Sequence, residues 1–565
     1  MRHRRRTDQS RPKRHLFRGT CVKPLLRLRI IVLISLVALA FPNRSAARTN
    51  SALLGEIEGQ HSIGFKSLWL ADRSRSFAND EYSQDARPMV AFVWYPAASG
   101  TPETLPDRDD SAMTFGEYLE HLSPPTDQQE LRNFAQASRD YTISSFRLDS
   151  IDPLVGEDLD AADSLQHQAR SASFLATDHA APLPGSYPLI IYHPGLGGNI
   201  LENVGLCEYL ASRGYIVISS TFFYKASWQD RFYCGEISTS LQDIRFLLNQ
   251  VAQRIPFADT NRVGLAGHSF GAQLALIYAC QPDNTIDAVV ALDSTIDYQS
   301  VEKIQSPIYR DTSWNDVLKA LTTGYGSCRS AILNVSGTMP DGQTQPDYAV
   351  VRRLFNTRLF FGTVNYAIDH ESFLSQTILA RSLISTDSNQ RSTVEWDRDK
   401  RTYNAVLEMT GQFFDQELKE TGEMMQMNHD EISLAFQPPI EQASGTEALS
   451  LYKNDGLEAI KSLYRSMQLI SPYARINLNP TLEYLTDRAD HAAIIELLEF
   501  ALAFESNRGN WRWELRLAEM YLVTNDTDNA VSHYNKALEF CDDPAASSMI
   551  RNELNRLPRA EDDEP

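Results

Sequence analysis

Gly267-His268-Ser269-Phe270-Gly271 spells G-x-S-x-G between a short apolar run, Val263–Ala266, and a helix-like run, Ala272–Cys280. Strand, sharp turn and helix are what a nucleophile elbow needs: the turn holds a serine hydroxyl exposed on a strained backbone, and the flanking glycines clear the strand and the helix. Ser269 is therefore the candidate nucleophile. A serine attacks only when a histidine takes its proton and an acid orients that histidine, so the chain beyond Ser269 has to supply both. Ala288–Leu292 is an unbroken apolar run, as in a parallel strand buried on both faces, and it ends in Asp293. Asp341 follows a second apolar run, Ala331–Val335, within a turn-like stretch, and is the alternative acid. For the base, His370 follows the apolar segment Leu359–Val364 and precedes a helical pattern, whereas His429, His491 and His533 fall beyond the last strand-like run.

An oxyanion that develops on an attacked carbonyl needs backbone donors, one after the nucleophile and one from a loop after an earlier strand. Pro188–Tyr192 reads as that strand and His193-Pro194-Gly195-Leu196-Gly197-Gly198 as that loop, which makes the N–H groups of Leu196 and Phe270 the candidates. No Gly-Lys-Ser/Thr follows the glycines and no acidic residue stands at dinucleotide-binding spacing, so a phosphate-binding reading is set aside. Tyr215–Ile218 is a further buried strand, and it leads into Phe222, Phe223, Tyr224, Trp228, Phe232 and Tyr233 with Lys225, Gln229, Asp230 and Arg231 interleaved. Aromatics mixed with charges beside the strand ends suit a partly exposed wall for an acyl chain, with Phe223 and Trp228 as candidate substrate contacts. The competing reading places these rings in the core.

Taken together, Gly-His-Ser-Phe-Gly, Ala-Leu-Asp at 291–293, Gly-Leu-Gly at 195–197 and Asp-His-x-x-Phe at 369–373 resemble the platelet-activating-factor acetylhydrolase and dienelactone-hydrolase-like branch of the α/β-hydrolases. The likeness runs at motif level over about residues 60 to 420 and includes the upstream runs Ile63–Phe65 and Val90–Pro96. It implies an α/β fold, a mostly parallel sheet flanked by helices, and it ranks Asp293 above Asp341, because that branch carries its acid after the strand following the nucleophile helix. One departure is that Pro194 stands where the acetylhydrolases carry a histidine, with His193 one place earlier; Ala272 after the elbow is another. Dienelactone hydrolases proper use a cysteine, which Ser269 replaces here.

The elements that must position these groups occupy part of a 565-residue chain, long enough for more than one domain. Residues 1–29 are dense in Lys and Arg, and Ile30–Phe41 is apolar except for Ser35, with small residues at Ser45-Ala46-Ala47. This reads as a signal peptide over 1–47, or a membrane anchor, and so as export to the periplasm or medium. The formal net charge is −20, and removal of the basic head leaves the remainder more acidic still, which argues against a nucleic-acid partner. Residues 48–420 are assigned to the hydrolase domain with an insertion at about 102–180, 421–455 to a linker, and 456–565 to an all-α helical domain. In the last, Tyr484, Ala493 and Leu497 recur in spacing as Tyr521, Ala530 and Tyr534, which with Leu517-Ala518 and Ala537 resembles tetratricopeptide repeats. Such repeats serve as a protein-binding groove or as a structural cap.

Cys207, Cys234, Cys280, Cys328 and Cys541 are too sparse for a disulfide scaffold, although a Cys207–Cys234 bridge is open in an oxidising compartment, and no Cys/His spacing resembles a zinc site. No metal or organic cofactor is called for. The sequence thus predicts an exported serine ester hydrolase acting on small-molecule or lipid esters. The rival readings are a serine peptidase and an interaction protein that works through its helical repeats.

Overall fold

The apolar runs become strands of one large sheet. The computed structural model describes residues 59–78, 83–84, 86–98, 112–124, 131–222, 237–299, 313–324, 328–354, 357–385, 393–419, 425, 429–439, 444–470, 476–504, 507, 509–541 and 543–557. The signal-like segment 1–47 lies outside that set, as do Phe223, Trp228 and Cys234. Among the described residues no helix is long and apolar enough to cross a membrane.

In chain order the strands are β1 (Ser62–Asp72), β2 (Phe77–Ala78), β3 (Ser83–Gln84), β4 (Arg87–Ala97), β5 (Thr177–Asp178), β6 (Tyr187–His193), β7 (Ile216–Ser220), β8 (Ala258–His268), β9 (Ala288–Leu292), β10 (Ala331–Thr338), β11 (Leu359–Ala367) and β12 (Ile432–Gln437). The short β2 and β3 pair with each other, and the other ten lie in the order β12-β11-β10-β9-β8-β6-β7-β4-β1-β5. From β7 to β11 the neighbours are parallel, and antiparallel β4–β7, β1–β4 and β11–β12 pairs extend the two ends. A parallel sheet needs cover on both faces, and alternate residues of each strand go to opposite cores. Ile190, Tyr192, Val217, Ala266 and Val290 face one core; Leu189, Ile191, Ile216, Leu265 and Val289 face the other.

The segment read as an insertion supplies helices Phe115–Glu120, Arg132–Phe146, Asp152–Val155 and Leu159–Arg170, with a π-helical turn at Arg147–Ile151. Phe115, Tyr118, Phe134 and Phe146 join the first core beside Phe65, Phe92 and Trp94. A polar chain pins this layer to the sheet: Trp94 Nε1 donates to Tyr118 Oη at 2.9 Å, and Tyr118 Oη donates to Glu208 Oε1 at 2.7 Å. Glu208 also accepts the N–H groups of Leu175 and Ala176, and burial pushes its carboxyl up to about 7 against those bonds. A buried polar group is tolerated only when it is bonded in this way.

The stretch 421–455, read from sequence as a linker, is not one. Ile432–Gln437 adds edge strand β12 to β11, and Gly445–Asp455 is a helix capped by a Ser444–Glu447 capping box. A six-residue strand with an exposed face carries too weak a period to be read against its polar surroundings. The C-terminal region is helical, with helices Leu457–Ile470, Asn479–Thr486, His491–Leu502, Trp511–Val523, Thr527–Phe540 and Pro544–Arg556. Its apolar interior, including Tyr464, Leu482, Leu497 and Leu517, is continuous with the second core. Tyr464 stacks on Phe504 at 5.0 Å between centroids, so the helix at 457–470 packs at the end of helix His491–Leu502. Cys207, Cys280, Cys328 and Cys541 are buried free thiols, so Cys207 is not bridged.

Candidate functional site

Strands β6 and β8 are neighbours although their chain connections leave in opposite directions across the sheet, and the crevice at their carboxyl ends is where open α/β sheets hold ligands. In register, His193 lies beside Gly267 and His268 beside Leu292. Ser269 follows at once. Its N–H donates to Leu292 O at 2.9 Å, and its backbone takes φ +53 and ψ −118 at the N-cap of helix Phe270–Ala279. That left-handed conformation is strained for a residue with a side chain and is held by the strand and helix on either side. Gly271 cannot be larger, because a β-carbon there would lie 2.1 Å from His193 O.

Asp293 occupies the equivalent place one strand over, at φ +43 and 2 % exposed, with its N–H on Val335 O. His370 opens a short 3-10 helix, His370–Phe373, after β11. Its Nδ1 lies 2.5 Å from Asp293 Oδ2, while its ring lies 4.4 Å, centroid to centroid, from His268, the residue before Ser269. Burial opposes charging of His370, but the hydrogen bond and charge of Asp293, with Glu371 adding, outweigh it and raise the imidazole above its ordinary value. Burial, helped by His370, holds His268 neutral far below its usual range, and His268 Nε2 meets His370 O at 3.1 Å. The structure thus brings Asp293, not Asp341, to His370. Asp341 is fully exposed and bonds its own turn, accepting from the N–H groups of Gln343 and Thr344.

Leu196, 42 % exposed, sits on the loop after β6. That loop runs against Ser269: a β-carbon built on Gly195 would stand 3.4 Å from Ser269 Cβ. Phe270 is the first residue of its helix, where an N–H has no partner within the helix and the helix dipole is positive. The loop after β6 and the start of that helix thus both flank Ser269. The insertion is bonded to this loop and to the helix after His370: Ser145 Oγ donates to Gly197 O at 2.8 Å and Ser150 Oγ meets Thr377 Oγ1 at 3.0 Å. Phe222, at the head of the aromatic stretch, stacks on His193 at 3.9 Å; Phe223 and Trp228 lie outside the described residues.

Three groups were missed by the sequence reading. Tyr298 Oη donates to Asp293 Oδ1 and accepts the Gly337 N–H at 3.2 Å, so it clamps the acid to the end of β10. Arg381 donates to Asp369 Oδ2 at 2.8 Å and to Ser372 Oγ at 2.5 Å, on both sides of His370. Glu202, between Leu201 and Asn203, is 1 % exposed beneath the Gly195 loop. None of the three left a trace in the sequence, since Glu202 stands beside the polar Asn203 and tyrosines and arginines four or more residues from a site carry no motif. Removing the Tyr298 hydroxyl in Tyr298→Phe is expected to lower kcat about tenfold with KM little changed, because a hydrogen bond to a charged acceptor is lost while the ring stays. Steady-state kinetics beside a thermal melt check this, and an unchanged kcat would remove Tyr298 from the site.

Residues 172–320 match the Dienelactone hydrolase family. The matched stretch contains β6, its loop, Ser269 and Asp293, and it ends before His370. No curated protein matches the chain by sequence. Among solved structures, a ferulic acid esterase from Streptomyces cinnamoneus is similar with a TM-score of 0.42 and 19% identity, over 68% of this chain and 99% of that one. The fold is that of the α/β-hydrolases.

Proposed function

We propose that this chain is a serine hydrolase that cleaves carboxylic esters through an acyl-enzyme. The observation that carries the reading is the 2.5 Å contact of His370 Nδ1 with Asp293 Oδ2, with the His370 ring 4.4 Å from that of His268, the residue before the strained Ser269. With Nδ1–H given to Asp293, His370 keeps Nε2 free as the base, and Asp293 stabilises the imidazolium that forms. Ser269 Oγ attacks the ester carbonyl, the proton passes to Nε2, and the N–H groups of Leu196 and Phe270 receive the oxyanion. The imidazolium then protonates the leaving alcohol, and water, activated by the same nitrogen, releases the acid. The dienelactone hydrolase match over 172–320 supports a hydrolase. We infer small-molecule or short-acyl lipid esters as the substrates, with the exposed side chain of Leu196 as an apolar contact. We place the activity outside the cytoplasm on the basic and apolar pattern of residues 1–47.

Profiling p-nitrophenyl esters of graded chain length beside a short-acyl phospholipid and a peptide amide tests the substrate class. Turnover of the amide above every ester would replace the esterase reading by a peptidase one. Because a charged His370 cannot accept a proton, kcat/KM is expected to rise with pH through a value above the ordinary histidine pKa of about 6.5. A limb at or below that value would mean that Asp293 does not act on His370 in solution.

A further inference from the structure

Glu202 lies under the loop that carries Leu196. Its Oε1 accepts the Gly195 N–H at 3.0 Å and the Tyr192 hydroxyl at 2.7 Å. The loop rests on the carboxyl without a gap: a β-carbon on Gly198 would stand 1.9 Å from Glu202 Oε2. The same residue also reaches the segment behind His370, since its carbonyl accepts the Gln376 N–H at 3.1 Å and the Ser375 hydroxyl at 3.3 Å. Asn203 repeats the link, donating from Nδ2 to Phe373 O at 3.1 Å and to the Tyr192 hydroxyl, which in turn donates to Glu202. A continuous chain of bonds thus runs from Phe373, three residues after His370, to the Gly195 peptide next to Leu196.

We propose, resting on the ester-hydrolase reading, that Glu202 is a positioning residue that holds the Gly195–Leu196 peptide at the oxyanion site and couples it to the loop of His370. The role requires a neutral carboxyl. A carboxylate bonded to the Gly195 N–H would put a full negative charge one peptide unit from the N–H that meets the developing oxyanion, and in a buried site that repulsion is screened far less than in water.

Burial pushes Glu202 up to about 8, against the bonds from Tyr192 and Gly195, with the charges of Glu371 and Asp149 adding. The groups facing it are Tyr192 from β6, Cys207 from helix Val204–Ser212, Asp149 from the π-helical turn of the insertion, and Glu371 from the His370 loop. Burial also raises Glu371, to about 6, with His370 and Arg381 opposing and Asp149 and Asp293 adding. Glu202 is therefore neutral at pH values below about 8, and its ionisation above that range is expected to lower activity.

The test compares the full-length wild type, Glu202→Gln and Glu202→Ala on p-nitrophenyl butyrate across neutral and alkaline pH, with fluorophosphonate titration of active sites. Glu202→Ala is expected to lower kcat about 10²-fold at neutral pH with KM little changed, the size of effect seen when one oxyanion donor is lost. Glu202→Gln keeps the acceptor and cannot ionise. It is expected to retain kcat within about threefold, since the bond to the Gly195 N–H survives, and to lose the wild-type fall in kcat near pH 8. A fall that persists in Glu202→Gln, or a wild-type kcat in folded Glu202→Ala, overturns the proposal. If Glu202→Ala does not fold, the alkaline limb of Glu202→Gln decides alone. Wild-type protein that takes up no fluorophosphonate and turns over no ester removes the hydrolase reading and this proposal with it, whereas normal labelling with an unchanged limb removes only the role of Glu202.

Discussion

Ser269→Ala is expected to abolish ester turnover and fluorophosphonate labelling, with a fall in kcat of roughly 10⁶-fold, the scale seen when the nucleophile of a comparable triad is removed. The attacking oxygen is the only atom deleted. Strand β8, helix Phe270–Ala279 and the N–H contact to Leu292 are untouched, so the melting temperature should stay close to wild type. An alanine keeps a Cβ at φ +53, which leaves the strain of the turn as it was. Residual catalysis over water would come from the N–H groups of Leu196 and Phe270 and from binding alone. Labelling that survives in the folded variant would assign the chemistry to another residue.

Asp293→Asn is expected to lower kcat by about 10⁴, because an amide facing His370 Nδ1 selects the wrong tautomer and cannot stabilise the imidazolium. Tyr298 sharpens the expectation: with its hydroxyl proton aimed at Oδ1, an asparagine is held with its oxygen toward Tyr298 and its NH₂ toward His370. Asp341→Asn should change kcat little, since that carboxylate is exposed and serves only its own turn. The two variants measured side by side on one ester decide the matter, and a larger loss in Asp341→Asn would move the acid to the later loop. Raised pH does not rescue Asp293→Asn, because the defect lies in tautomer and charge rather than in a proton that can be removed.

The local part of this protein was legible in the chain itself. Val263–Ala266 and Ala288–Leu292 carry no polar side chain because a parallel strand is buried on both faces, and of the glycines around Ser269 a side chain on Gly271 would meet the His193 loop and one on Gly267 the Gly271 backbone. Those are short-range demands, and residue type answers to them directly. Strand ends were legible too, so Ser269, Asp293 and His370 could be named as residues after the carboxyl ends of β8, β9 and β11. What could not be read was everything that depends on how distant segments meet. Asp293 and His370 are 77 residues apart, and the choice between Asp293 and Asp341 rests on the register of β9 against β10 and on the path of the loop after β11.

Tyr298, Arg381 and Glu202 act through bonds to groups remote in sequence or across a turn, and no period or motif marks such a partner. The edge strand β12 went unread for the same reason, since its place is set by β11 and not by its own composition. Periodicity and turn chemistry determined the elements and the strained serine. Only the tertiary structure decided which acid meets the histidine and what holds the loop after β6, because hydrogen bonds between segments are chosen by the packing of the sheet and helices after each element has formed.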